Sequence, residues 1–473
     1  MTISENLGSA VKPGDMNELQ NQLQGIVLRP GEADYEAARH GWNLCIDQHP
    51  ALIVRVKNTA DIVEAVRFAC QHDLDIAVKS TGHGVVRPAD GCLLIDVSLL
   101  KEVRIHPTAQ TAWVSAGVKW GQVLEAAQAF GLAPLLGSSP DVGAVGYTLG
   151  GGMGWLVRKY GLSTDSVHYF ELVTADGEIR RASPEENSDL FWGLRGGGGS
   201  LGVITGMEIQ LYPVSTVYGG NLLYPAEDAV QVIRRYREWI ASAPDELTSS
   251  IVLANFPPLP VFPEPLRGKS FIIVRGCYCG PIEQGAALVQ SWRDWKTPYM
   301  DAWHVMPFGE VATISNDPPD PVPGLTSGAW VGDLSDEAIE VLVRYGLPGG
   351  GPSPVMITEI RHAGGAVEGV ASEANAYGNR EATLNMQLIG MAPVPEARQA
   401  FDVYTARFKQ ALAPHLTGGV YINFLDGEEA RQRIQDAYQP QAYQRLQELK
   451  AYYDPDNRFC YSFNITPAAA ARS

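Results

Sequence analysis

The chain has 473 residues, of which 45% are hydrophobic, enough to build two or three cores at roughly 100–200 residues per domain. Its formal net charge of −17 provides no basic stripe for phosphate backbones or anionic lipid, which argues against nucleic acid and membrane partners. The opening stretch, with Glu5 and Asp15, lacks the apolar core of a signal peptide, and no later run is long enough to span a bilayer, so the chain reads as cytoplasmic. Six scattered cysteines without a CxxC suit reduced thiols, and nine histidines without HExxH or H-x-H spacing predict no metal site.

In chain order, "ALIVRVK", "TADIVEAVRFACQHD" and "LDIAVKS" predict strand, helix and strand, with Asn58 or Thr59 as N-cap and Ile62, Val63, Val66 and Ala69 on one helical face. Strands "GCLLIDVS" and "TAWVSAGV", helix "KWGQVLEAAQAFG" and the strand pair in "SVHYFELVTADGEIRRAS" extend a mixed α/β body to "GVITGMEIQLYPV". After Pro213, helices such as "EDAVQVIRRYREWIASA" alternate with strands such as "KSFIIVRGCY" and "SPVMITEIRH". That texture predicts an antiparallel sheet backed by helices. A final helix, a turn and an extended tail close the chain.

Three glycine-rich places stand out. In "VKSTGHGVVRPADG", His83 sits between Gly82 and Gly84 at a strand exit, either as an exposed side chain in a turn or as a group that something must approach closely. "GSSPDVGAVGYTLGGGMGWLVRKYGL" holds six glycines from Gly143 to Gly154. Their bare N–H groups could nest a pyrophosphate, or the glycines could serve tight packing of irregular chain. "WGLRGGGGSLGVITG" contains both a G-x-G-x-x-G and a G-x-S-x-G. A helical stretch precedes it and a strand follows, the reverse of what a dinucleotide fingerprint or a nucleophile elbow at Ser200 requires.

These segments, together with "AYGNR", "YINF" and the closing "KAYYDPDNRFCYSFNITP", resemble the berberine bridge enzyme-like FAD-linked oxidases, within the vanillyl-alcohol-oxidase-type flavoproteins. The resemblance implies an α+β chain: a PCMH-type FAD-binding domain of two α/β subdomains over residues 1–213, completed by 415–473, and a substrate domain over 214–414. It implies that His83 bonds covalently to the 8α-methyl of FAD. Lys79, Ser80, Thr81, Gly82 and Gly84 would form the loop around the diphosphate, with Thr81 standing where the family usually has glycine. Ser138, Ser139, Val142, Gly143, Gly146, Tyr147, Gly150, Gly152 and Gly154 would form the second FAD loop, Val203 the strand near the adenosine end, and Asn464 a neighbour of the flavin ring.

Ser139 occupies the position at which many members carry a cysteine with a second covalent bond to the flavin. A serine hydroxyl does not supply the thiolate that this linkage needs, so a single histidyl tether is expected. Glu359 matches a catalytic glutamate of several members. Strand alternation sets it beside Arg361, with Val355 and Ile357, and the two could equally form a solvated salt bridge. Tyr421 is the second candidate base, or else a buried tyrosine with a satisfied hydroxyl; Asn385 and Gln387 are expected near the same pocket. The implied activity is oxidation of a small alcohol, amine or phenolic metabolite with O2 as acceptor. A dehydrogenase using another acceptor and a non-redox protein with structural FAD are the alternatives.

Overall fold

The computed structural model describes residues 11–349 and 353–469; the acidic start that carries Glu5 lies outside them. Three sheets organise the chain. The first comprises β1 (Ile26–Leu28), β2 (Leu52–Arg55), β3 (Ile76–Lys79) and β4 (Leu93–Asp96), in the order β1-β2-β4-β3. The predicted strand–helix–strand unit is present as β2, the helix Thr59–Gln71 and β3, but β4 lies between the two strands and pairs parallel with both. Asn58 caps the helix, its side chain accepting from the Asp61 N–H at 2.9 Å, and Ile62, Val63, Val66 and Ala69 are buried.

The second sheet is wholly antiparallel: β5 (Val103–His106), β6 (Thr111–Ser115), β7 (Val167–Val173), β8 (Ile179–Ala182) and β9 (Val203–Gln210), ordered β5-β6-β9-β7-β8. The third has eight antiparallel strands: β10 (Thr216–Pro225), β11 (Leu247–Asn255), β12 (Ser270–Tyr278), β13 (Met300–Asp301), β14 (His304–Pro307), β15 (Gly324–Val331), β16 (Val355–His362) and β17 (Leu384–Met391). Its main path runs β13-β10-β12-β11-β16-β17-β15, and β14 also pairs with β10. The mixed α+β class expected from the sequence is therefore present, with the antiparallel sheet in the second half of the chain.

Register gives the third sheet two chemically distinct faces. Val274, Ile251, Ile360, Met386 and Ala329 lie opposite one another across four strand pairings and are buried beneath the helices Ala229–Ile240, Asp336–Gly346 and Pro395–Leu412. Each large aliphatic side chain so buried contributes about 1.5–3 kcal/mol. The alternate row, Arg275, Ser250, Arg361, Asn385 and Trp330, faces the other way. One alternation expectation fails. The register of β16 shifts between Val355 and Ile357, so Met356 is an extra residue and Val355 turns to the helix-covered core instead of sharing a face with Glu359.

The polar row meets the glycine-rich segment of the first half: Trp330 clusters with Met153, Val157, Tyr377 and Tyr421. The C-terminal chain returns to the first sheet. There the Ile76 N–H donates to the Arg458 carbonyl at 2.8 Å and the Tyr461 hydroxyl to the Asp90 carbonyl at 2.8 Å. From the helix Pro440–Tyr453, the buried Lys450 ammonium donates to Ser200 O at 2.6 Å and Phe459 O at 3.2 Å and pairs with Asp454 at 2.6 Å. That clasp joins the third glycine cluster to the tail.

Candidate active site between two glycine-rich loops and a polar sheet face

The His83 turn is built by a crossing of two glycines. Gly82 has φ +77°, and a Cβ there would come within 2.5 Å of Gly41 Cα, so neither position admits a side chain without a shift. The crossing lets residues 41–43 run along the turn, with the Trp42 N–H donating to Thr81 O at 2.9 Å and the Asn43 N–H to Gly82 O at 3.3 Å. The Trp42 indole consequently stacks on the His83 ring, centroids 4.3 Å apart and 14° from parallel. Nδ1 of His83 lies 2.9 Å from Thr81 Oγ1, while Nε2 is buried with no partner. Burial, aided by the Lys119 charge, pushes the imidazole down to about 4, so the ring is neutral at physiological pH.

The neighbouring predicted residues divide into two groups. Ser80 Oγ is buried without a partner, and Gly143 of the second loop lies against it: a Cβ at Gly143 would sit 3.3 Å from Ser80 Oγ. Gly84 and Gly146 border open space on their Cβ side, and Ser138 lines a narrow pocket with Met153, Trp155, Arg361 and His362. Other residues hold protein to protein. The Lys79 ammonium donates to the carbonyls of Ala38 and His40, Ser139 Oγ accepts from the Asp141 N–H at 3.3 Å, and Val142 O accepts from the Trp120 N–H at 3.0 Å. Val203 is buried at the start of β9, opposite Val173.

The triple-glycine segment is a packing device. A Cβ on Gly150 would meet Asn423 at 2.0 Å, and one on Gly152 (φ +84°) would meet the Tyr147 ring at 2.5 Å. Gly154 similarly presses on Leu136 O. The Tyr421 hydroxyl oxygen accepts from the Gly152 N–H at 2.9 Å, the Met153 N–H at 3.1 Å and the Asn423 amide at 2.9 Å. Burial raises this phenol to about 12 despite those donors, leaving a neutral hydroxyl that pins the loop. Tyr147 Oη is buried without a partner, as are Asn464 Oδ1 and Ser462 Oγ in the tail beside Gly198 and Gly199.

Across from the loops, Glu359 is 0% exposed between two guanidiniums, with Arg275 Nη2 at 2.7 Å and Arg361 Nε at 3.0 Å. Of the two readings open for Glu359, the solvated salt bridge with Arg361 is not what forms, because the pair is part of a buried triad. Burial alone would raise the carboxyl, but the two arginines outweigh it and hold Glu359 at about 2. Gln387, opposite Glu359, donates to Thr326 Oγ1 at 3.2 Å, whereas both amide atoms of the buried Asn385, opposite Arg361, lack partners. At the strand end, Arg158 Nη1 lies 3.1 Å from His362 Nε2 and donates to Ala363 O at 2.6 Å. Burial and Arg158 together push His362 down to about 3.

Residues 50–183 match the FAD binding domain family, and residues 420–466 match the berberine and berberine-like family. With both of these domains in one chain, this is an FAD-linked oxidoreductase similar to the berberine-like proteins. An FAD-linked oxidoreductase of Dictyostelium discoideum is 28% identical over 96% of this chain and 97% of its own, and the (R)-6-hydroxynicotine oxidase of Paenarthrobacter nicotinovorans is 28% identical over 94% and 97%. The solved 6-hydroxy-D-nicotine oxidase of Arthrobacter nicotinovorans superposes with TM-score 0.81 at 24% identity, covering 94% of this chain and 98% of that one. The Physcomitrella patens BBE-like 1 structure gives 0.83 at 21%, covering 96% and 100%.

This oxidoreductase is FAD-dependent, and its unpartnered buried groups fit that cofactor. His83 Nε2, Ser80 Oγ and Asn464 Oδ1 need polar neighbours that the protein does not supply. Among the described residues there is no metal-ligating cluster and no helix long and apolar enough to cross a membrane, and all six cysteines are free. Two residues escape a motif reading. Trp42 lies 41 positions from His83 in sequence, and Arg275 appears only as one charge in the apolar strand "FIIVRGCY".

Proposed function

We propose that the protein oxidises a small organic alcohol, amine or phenolic metabolite with FAD tethered through His83 alone and O2 as electron acceptor. The observation that carries this reading is the His83 ring: neutral, stacked on Trp42, and with a buried Nε2 that no protein group satisfies. With its proton on Nδ1, donated to Thr81 Oγ1, the ring presents the Nε2 lone pair for attachment. When bound, FAD supplies a two-electron acceptor at its N5 position.

The chain's residues would do the remaining work. Ser80, the 143–146 turn and the tail around Asn464 hold the cofactor in a unit formed by residues 1–213 with 415–473, and residues 214–414 cover the substrate. Ser139 offers no second tether, because its hydroxyl serves the Asp141 turn. Of the two candidate bases, Tyr421 is a positioning residue, its oxygen occupied by three N–H donors that shape the loop. Glu359 is ionised and takes the substrate's OH or NH proton. Its proton affinity is low while both arginines pair with it, so it suits a donor that loses its proton late in the reaction.

Acid precipitation of the wild type beside His83→Ala tests the tether. Flavin should stay with the wild-type pellet and leave the variant, and release from the wild type would refute covalent attachment. Protein reduced by substrate or dithionite should recolour in air with formation of H2O2. A reduced form that stays colourless in air would remove O2 as the acceptor.

A further inference from the structure

The polar face of the third sheet carries more positive charge than it neutralises. Arg275 and Arg361 are both nearly buried, and Glu359 is the carboxylate they share, at 2.7 and 3.0 Å. Among the described residues no other carboxylate lies within 4.0 Å of Arg361; Asp317 acts on it only from farther away. Nearby Arg158 is balanced by Asp245 at 3.3 Å and by backbone carbonyls, while His362 is neutral, so neither offsets the triad. The triad itself therefore has a net charge of +1. A buried surplus cation is unfavourable unless an anion or several acceptors meet it.

The groups flanking Arg361 extend this pattern. Register sets Asn385 directly opposite it, and Trp330 opposite Asn385, on the same face. Asn385 is fully buried with neither amide atom bonded, and Trp330 Nε1 is a buried donor without an acceptor. Arg361 also lines the pocket with Ser138, Trp155 and His362, and its guanidinium lies over the Phe424 ring at 4.8 Å. A row of donors beside a half-neutralised guanidinium, flanked by aromatic rings, presents the groups that a planar anion requires.

We infer that the substrate is an organic acid whose carboxylate docks on Arg361 and the Asn385 amide, with the apolar remainder of the molecule against Phe424 and Trp330. This rests on the flavin-oxidoreductase reading above and adds the charge class of the molecule being oxidised. Docking would draw Arg361 away from Glu359, so the anion that fills the site also releases the neighbouring carboxylate to accept a proton.

The test is titration of the purified full-length flavoprotein with benzoate and with its neutral isostere benzamide, read by the visible flavin bands and by tryptophan fluorescence. Benzoate should bind saturably and about tenfold or more tightly than benzamide. Arg361→Gln should weaken benzoate by about tenfold or more and leave benzamide unchanged. Glu359→Gln, which frees both guanidiniums, should tighten benzoate, and it carries the test if Arg361→Gln does not fold. Equal binding of the two probes, or no change in benzoate affinity in the variants, overturns the proposal. A shifted flavin potential in Arg361→Gln with unchanged benzoate affinity also overturns it, since the cations would then serve the cofactor. Protein purified without visible flavin would instead count against the oxidoreductase reading, while tryptophan fluorescence would still decide whether the site takes an anion.

Discussion

The His83 turn and the Glu359 triad are both buried polar sites, and they solve the cost of burial in opposite ways. At His83 the titratable group gives up its charge, with the ring neutral, stacked on Trp42 and left with an unfilled nitrogen. At Glu359 the charge is kept and matched by two arginines, Arg361 on its own strand and Arg275 from β12, two strands away. A neutral group with a free lone pair is chemically able to take a covalent partner, as proposed for His83. An ion cluster with a surplus cation is prepared for a reversible ionic one. The difference teaches that burial alone does not identify a site; the way its charge is balanced tells what class of partner it awaits.

The comparison is broken most strongly by Arg275→Met. This leaves Glu359 with Arg361 alone in a dry environment, and the expected loss is about 3–5 kcal/mol in urea unfolding, the range for a disrupted buried pair. A change below 1 kcal/mol would mean that the triad is not an energetic unit.

Acidification acts on the same contrast from the other side. His362 accepts from Arg158, which can only donate, so its Nε2 must be unprotonated. Its folded value of about 3 lies below the ordinary 6.5, so the unfolded chain binds the extra proton. The stability from its neutral burial is full above pH 6.5 and is lost as pH falls toward 3, at about 1.4 kcal/mol per pH unit. Glu359, held at about 2 against an ordinary 4.5, adds a second loss between pH 4.5 and 2. Urea midpoints measured from pH 7 to 4 should fall steadily, and His362→Gln should flatten the upper part of that slope.

Smaller effects sharpen the loop side. Tyr421→Phe strips the acceptor from Gly152, Met153 and Asn423 and should cost about 1–3 kcal/mol, with weaker flavin retention in a background lacking the tether. Thr81→Ala removes only the partner of His83 Nδ1. A loss of about 1 kcal/mol is expected, together with slower covalent incorporation of added FAD into flavin-free protein, measured by mass.

Much of this was legible in the chain because its signals are local. The cap at Asn58, the strands around the His83 turn and the alternation of "ITEIRH" are set within a few residues of one another. The extra residue at Met356 was not, because a bulge is decided by the pairing of β16 with β17 rather than by the letters of β16. Arg275 and Glu359 meet across β11, which separates their strands, and they stand 84 positions apart in sequence, so only the register of three strands reveals the pair. Lys79 illustrates the converse. It ends β3 just before the His83 turn, yet its ammonium holds the carbonyls of residues 38 and 40.

The clasp formed by Lys450 sets a timetable for biosynthesis. It ties the turn at Ser200 to chain made some 250 residues later, and the tail bearing Asn464 follows the same helix. Because a ribosome delivers the N-terminal part first, the His83 turn emerges long before the groups that close the space opposite it. The space opposite that turn is therefore closed only after the helix Pro440–Tyr453 has been made and has folded.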